Sequence, residues 1–160
     1  METTTKRSLF QTVIAKLSIV FVVSCGLATL VVLANCQKKT VEPVTLEASD
    51  MCSFCRMSIS EKRYAAEVID NEGQAFKFDD IGCMTNYIKL KKNNASIAAT
   101  FVMDFDRREW LKAENAFYVR SSEFKTPMNG GIVAFSDQSP AQAAAAKYNG
   151  TTLRFADVTK

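Results

Sequence analysis

Along the chain, runs of apolar and polar residues change period several times, and each change marks an element. Residues 64–70, "YAAEVID", alternate with Tyr64, Ala66 and Val68 on one side and predict a strand. "DNEG" at 70–73 is turn chemistry, and "QAFKF" at 74–78 puts Phe76 and Phe78 on one face, so the pair predicts a β-hairpin. Asp79 and Asp80 then stand where a helix cap is needed. Ile81, Met84 and Ile88 form one apolar face, with Tyr87 beside it, in a helix running to about Lys91 and closed by Asn93-Asn94. "SIAATFVMDF" at 96–105 predicts a strand that returns to the sheet.

The second half repeats this grammar. "AFYVR" (116–120) and "GIVAFS" (131–136) predict strands, separated by the loop "SSEFKTPMNGG". Ser139 is read as the cap of a helix that has Pro140 at its first position and Gln142 completing a capping box. Alanines 143–146 fill that helix, Gly150 ends it, and "TTLRF" (151–155) is the last strand. "FKFDD" at 76–80 aligns with "VAFSD" at 133–137. The expected fold is therefore α+β, with two similar ββαβ units at about 49–105 and about 113–160.

Upstream lies a different pattern. An uncharged apolar run from Leu17 to Ala34 follows Lys6, Arg7 and Lys16 and ends at Leu33-Ala34-Asn35-Cys36. This resembles a bacterial lipoprotein signal in which Cys36 takes the lipid. The run also approaches the length of a membrane-spanning helix, so residues 1–35 are a signal peptide or an uncleaved anchor. Few positive charges come after the run, which places the body outside the cytoplasm, facing the periplasm or cell exterior. Residues 36–48, with Pro43 and mixed charges, read as a linker that lifts the body off a membrane.

Composition narrows the chemistry. The formal net charge is +3 and much of the excess sits in the first 35 residues, so the body is nearly neutral and gives no reason to expect nucleic acid. There is no histidine. The soft donors are instead clustered: Met51, Cys52, Cys55 and Met57 in one stretch, Cys83-Met84 in another, and Met128 in a Pro-Met-Asn-Gly-Gly loop. Thiolates and thioethers favour Cu(I), whereas a closed zinc site would want four Cys or His donors. Cys55 and Met57 are the leading ligands, with Cys52, Cys83, Met84 and Met128 as the further candidates. Cys83 falls in the first turn of the helix, where the dipole is expected to favour its thiolate. Cys52 and Cys55 also permit a different function, thiol–disulfide exchange, although the pair does not follow a strand and open a helix.

The order "MCSFCRMSI", "YAAEVIDNEGQAFKFDDIGCMTNY", "DFDRREWLKAENAFYV", "PMNGGIVAFSD", "NGTTLRF" resembles the NosL family, accessory lipoproteins of nitrous oxide reductase, from about Asp50 to about Asp157. The resemblance implies a membrane-anchored, extracytoplasmic Cu(I)-binding metallochaperone, not an enzyme. Its partner would be nitrous oxide reductase or its assembly factors, and the copper would go to a copper–sulfide centre. The family's Cys-Gly-Met motif maps onto Cys55, Arg56 and Met57, its glycine-flanked Met loop onto Met128, and its Phe-Asp pair onto Phe78 and Asp79. Arg56 replaces the usual glycine, and Cys52 and Cys83 are added thiols. Two arrangements stay open: these thiols displace the Met ligands, or Cys52 forms a reversible disulfide with Cys55.

Overall fold

The fold is that of a computed structural model, which describes residues 40–91 and 96–160. The chain divides into two units, Met1–Thr40 and Val41–Lys160, and the second of these is the folded body. The signal or anchor segment, Cys36 and Asn93-Asn94 lie outside the described residues. Among the described residues no helix is long and apolar enough to cross a membrane.

Two antiparallel sheets carry the body. The first has β1 (Ala66–Asp70), β2 (Ala75–Phe78), β3 (Ile97–Met103) and β4 (Trp110–Lys112) in the order β2-β1-β3-β4. The second has β5 (Phe117–Arg120), β6 (Ile132–Phe135) and β7 (Thr151–Leu153) in the order β6-β5-β7. Each half places its first strand in the centre, its hairpin partner on one side and its post-helix strand on the other. Helix α1 (Ile81–Leu90) follows β2, and α2 (Gln138–Lys147) follows β6. Both expected ββαβ units are thus present. The correspondence is residue by residue: Phe78 and Phe135 end their strands, and Asp80 and Asp137 are the two helix N-caps.

The predicted apolar face of α1 packs inward, with Ile81, Met84 and Ile88 buried. Tyr87 lies against Phe76 and Phe78, with ring centroids 5.2 and 5.1 Å away. These side chains join Ala66, Val68, Val102 and Tyr118 in the main core, which draws on both sheets. The two halves are also stitched by main chain, since the Phe105 N–H donates to the Ala134 carbonyl at 2.9 Å. Asp104 adds a side-chain link: its Oδ2 accepts from the Ser136 N–H at 2.8 Å, and its Oδ1 accepts from Asp106 and Arg107.

Several local expectations are corrected. The cap of α2 is Asp137, not Ser139, so Pro140 stands third in the helix and no capping box forms around Gln142. Proline is tolerated there because the N–H groups of a first turn have no intrahelical acceptor. The left-handed residue after α2 is Asn149 (φ 46°), not Gly150. Gly131 in the Met128 loop has φ 62°, and a Cβ there would sit 2.1 Å from the Ser121 carbonyl oxygen, so no side chain fits. Tyr64 belongs to a short 3-10 turn (Lys62–Tyr64) rather than to β1. Strand β4 and a one-turn helix, α3 (Phe155–Val158), complete the fold. Of the segment read as linker, Leu46 is buried with Ile59, Ala65 and Met103.

Candidate metal centre

The loop between Met51 and Ser58 closes on itself. Met51 and Ser58 form an antiparallel bridge, and the Cys52 N–H donates to the Met57 carbonyl at 2.8 Å. Inside it the Arg56 N–H donates to the Cys52 carbonyl at 3.0 Å. This tight return needs a left-handed residue, and Arg56 supplies it at φ 66°. Glycine would adopt that conformation without the side-chain clash that arginine carries. The loop is then fixed to the sheet by the Ser53 N–H, which donates to the Lys77 carbonyl at 2.7 Å.

This fixes Cys52 and Cys55 beside the start of α1. Asp80 caps the helix through the Gly82 N–H at 2.5 Å, so Asp79 is left free of that task. Asp79 is buried instead among the thiols. The Cys55 Sγ lies 3.5 Å from its Oδ1 and 3.4 Å from its Oδ2. Cys83 is the third residue of α1 and is buried. The sulfurs of Cys52, Cys55 and Cys83 and a carboxylate oxygen of Asp79 all lie within 4.8 Å of one another. Cys52, Cys83 and Asp79 are buried and Cys55 is half-buried, so one thiol of the group meets solvent. Cys52, Cys55 and Cys83 are free thiols.

The electrostatics differ from the expectation for Cys83. Burial pushes its thiol far above the ordinary range, and the neighbouring Cys52 and Asp79 push in the same direction. The helix N-terminus does not overcome the loss of water. The Cys55 thiol is also raised, first by burial, against a backbone hydrogen bond from Met57 that favours the thiolate.

Of the six residues expected as ligands, the structure gathers Cys52, Cys55 and Cys83. Met84 follows Cys83 and is fully buried in the core beside these cysteines. Met57 and Met128 are both exposed. Met128 is held over the start of α1 because its N–H donates to Asp80 Oδ2 at 3.1 Å. Asp80 thereby ties the Met128 loop of the second half to the helix that bears Cys83. Sequence alone marks Asp79 as a cap; the signal for its other place is the Phe78-Asp79 pair ahead of the helix. The Cys52–Cys55 pair sits in a turn, with Cys52 inaccessible, which differs from the exposed helix-opening placement of a dithiol redox site.

Comparison with known proteins agrees with this picture. The sequence profile of the NosL family matches residues 43–160. The chain is 26% identical over 130 residues to the copper-binding lipoprotein NosL of Stutzerimonas stutzeri, an alignment covering 76% of this chain and 68% of that protein. The fold is similar to the crystal structure of the copper chaperone NosL from Shewanella denitrificans, with a TM-score of 0.67. That match has 17% identity and covers 76% of this chain and 98% of the other.

Proposed function

The chain belongs to the NosL family, and from that premise we propose that it carries Cu(I) as cargo in its cluster of three thiols and delivers it to a copper enzyme. The observation that carries this reading is the convergence of Cys52, Cys55 and Cys83 within 4.8 Å around Asp79. Soft sulfur donors hold Cu(I) tightly against water, and two or three of them suffice. Cys55 is the half-exposed member and serves as the point of entry and exit. Exposed Met57 and Met128 offer thioethers at the surface for an incoming or departing ion. Transfer then proceeds by ligand exchange: an acceptor's donor bonds to the ion before the last sulfur of this chain lets go. No side chain has to act as an acid or base on a substrate, and the absence of histidine is no handicap.

The acceptor in this reading is nitrous oxide reductase or its assembly factors, with the copper destined for the copper–sulfide centre. A lipid on Cys36 tethers the chain to a membrane, with the body facing the periplasm or cell exterior. The lipoprotein signal pattern supports this, as does the copper-binding lipoprotein among its relatives.

The test is Cu(I) competition against a chromophoric chelator, using the full chain in detergent. Cys55→Ser is expected to weaken binding by more than roughly 100-fold, beyond the roughly 10–100-fold that loss of a supporting contact costs. Unchanged affinity removes Cys55 from the site. One feature favours a second reading: Asp79 completes a set of three thiols and a carboxylate, of the kind zinc takes in tetrahedral sites. Zn(II) that displaces stoichiometric Cu(I) from the wild-type chain would support zinc over copper.

A further inference from the structure

Glu67 plays no part in the thiol cluster, yet its side chain is fully buried and its Oε2 has no hydrogen-bond partner. A carboxylate so placed costs free energy. Burial raises its pKa, and a hydrogen bond from the Val44 N–H works against that rise. That hydrogen bond, 2.9 Å to Oε1, is what Glu67 does: it holds the segment by which the chain enters the body. Opposite Glu67 in the ladder stands Lys77 on β2. Its Nζ donates to the Thr45 carbonyl at 2.8 Å. A cross-strand acid and base therefore grip the N–H of one residue and the C=O of the next. Lys62 adds a third grip, from Nζ to the Leu46 carbonyl at 2.7 Å, and the Leu46 side chain is buried beneath.

Lys77 also has a second set of contacts. The same Nζ reaches Asp50 Oδ2 at 2.6 Å, in an ion pair whose side chains are only 15% and 21% exposed. Asp50 Oδ2 in turn accepts from the Glu47 N–H at 2.7 Å, and the Asp50 carbonyl accepts from Ile59 at the far end of the cysteine loop. The Lys77 carbonyl accepts from Ser53, between Cys52 and Cys55. One residue thus fastens the entering segment, the base of the cysteine loop and its interior.

We infer that residues 44–47 form a strap whose docking on the Glu67–Lys77 pair is linked to how tightly the Cys52–Cys55 loop is held, and hence to retention of the metal. Linkage of this kind is reciprocal: cargo in the loop tightens the strap, and a strap drawn away from Lys77 loosens the loop. The inference rests on the copper reading only for the identity of the cargo. Lys77 is a positioning residue here, since it donates to the loop's supports and not to the ion.

The experiment uses the full chain in detergent, as wild type, Lys77→Met and Lys77→Arg, with three readouts. They are alkylation of Cys55 in the metal-free protein, loss of Cu(I) to a chelator, and hydrogen exchange at Val44 with and without Cu(I). Lys77→Met should speed alkylation and copper loss by roughly fivefold or more, within the usual range of coupling between sites. Lys77→Arg should restore both, and Cu(I) should slow exchange at Val44 in the wild type. Val44→Pro removes the N–H that Glu67 holds without touching a strand, and is expected to act in the same direction if Lys77→Met does not fold. A variant that frees the strap while alkylation and copper loss stay at wild-type rates overturns the inference. Because alkylation is read without metal, a wild type that binds no Cu(I) would refute the copper reading and leave the strap linkage to be decided by the thiol rates.

Discussion

The Cys55 sulfur faces both oxygens of the buried Asp79 carboxylate, at 3.4 and 3.5 Å. The half-exposed thiol of the cluster thus donates to the one acid buried among the sulfurs. Asp79 also acts on Cys83, whose thiol it helps to keep protonated. Asp79→Asn preserves shape and removes that charge. The thiols of the metal-free variant are expected to ionise at lower pH than those of the wild type, read from thiolate absorbance in the ultraviolet. An unshifted titration would mean that burial alone sets the thiol chemistry.

A second expectation concerns acidity and cargo. The Cys55 and Cys83 thiols are both raised by burial, so they are protonated near neutral pH and must give up protons to bind a metal as thiolates. Apparent Cu(I) affinity should rise with pH, by about tenfold per unit for each proton displaced. Chelator competition over a range of neutral pH values measures the slope. A flat profile would exclude thiolate ligation by either residue.

Arg56 holds a left-handed backbone at φ 66° in the middle of the cysteine loop. Arg56→Gly relieves that strain, while glycine's greater freedom in the unfolded chain offsets part of the gain. The expected net stabilisation is about 0.5–1 kcal/mol. Urea denaturation of the metal-free protein tests it, and a loss of stability would show that the arginine side chain contributes packing that outweighs its backbone cost.

Asp104 gives the body an acid-sensitive seam. Burial acts to raise its carboxyl pKa, but N–H groups of Arg107, Ser136 and Asp106 outweigh burial and hold it below the ordinary 3.8. A depressed carboxylate contributes stability that is present above the unfolded value and is lost as pH falls through the folded one. Asp104→Asn should therefore cost roughly 1–3 kcal/mol at neutral pH, and flatten the fall in stability under acid conditions. Equal acid sensitivity in wild type and variant would move that seam to another residue.

Period and punctuation decide how much of this fold is legible in the sequence. Strands β1, β2, β3, β5, β6 and β7 are visible because alternation or an apolar run is bounded by turn residues, and α1 because Ile81, Met84 and Ile88 recur on one face. Strand β4 is three residues long at a sheet edge, too short to show a period, and α3 is a single turn. Asp137 loses the cap of α2 to Ser139 on sequence alone because the Ser-x-x-Gln pattern is a strong local signal that ignores where β6 ends. Glu67 falls between Ala66 and Val68 in the alternation, on the opposite side of the strand; the N–H it holds belongs to a segment more than twenty residues away, which no local pattern records. The three cysteines are visible as sulfur-rich patches, but their meeting point, and Asp79 within it, requires the β2–α1 corner to be built.

Since the ββαβ unit occurs twice, the places of Asp79 and Cys83 have counterparts in the second half, counted from the paired caps Asp80 and Asp137. They are Ser136 and Pro140. At these two places the second copy of the architecture offers no sulfur donor, and its Met128 loop reaches across to the first. Two-fold repetition of the scaffold therefore yields a lopsided device with a single berth among the described residues. Under the copper-delivery proposal, one berth means one ion per encounter, and a centre of several metals would need as many visits as it has metals to receive.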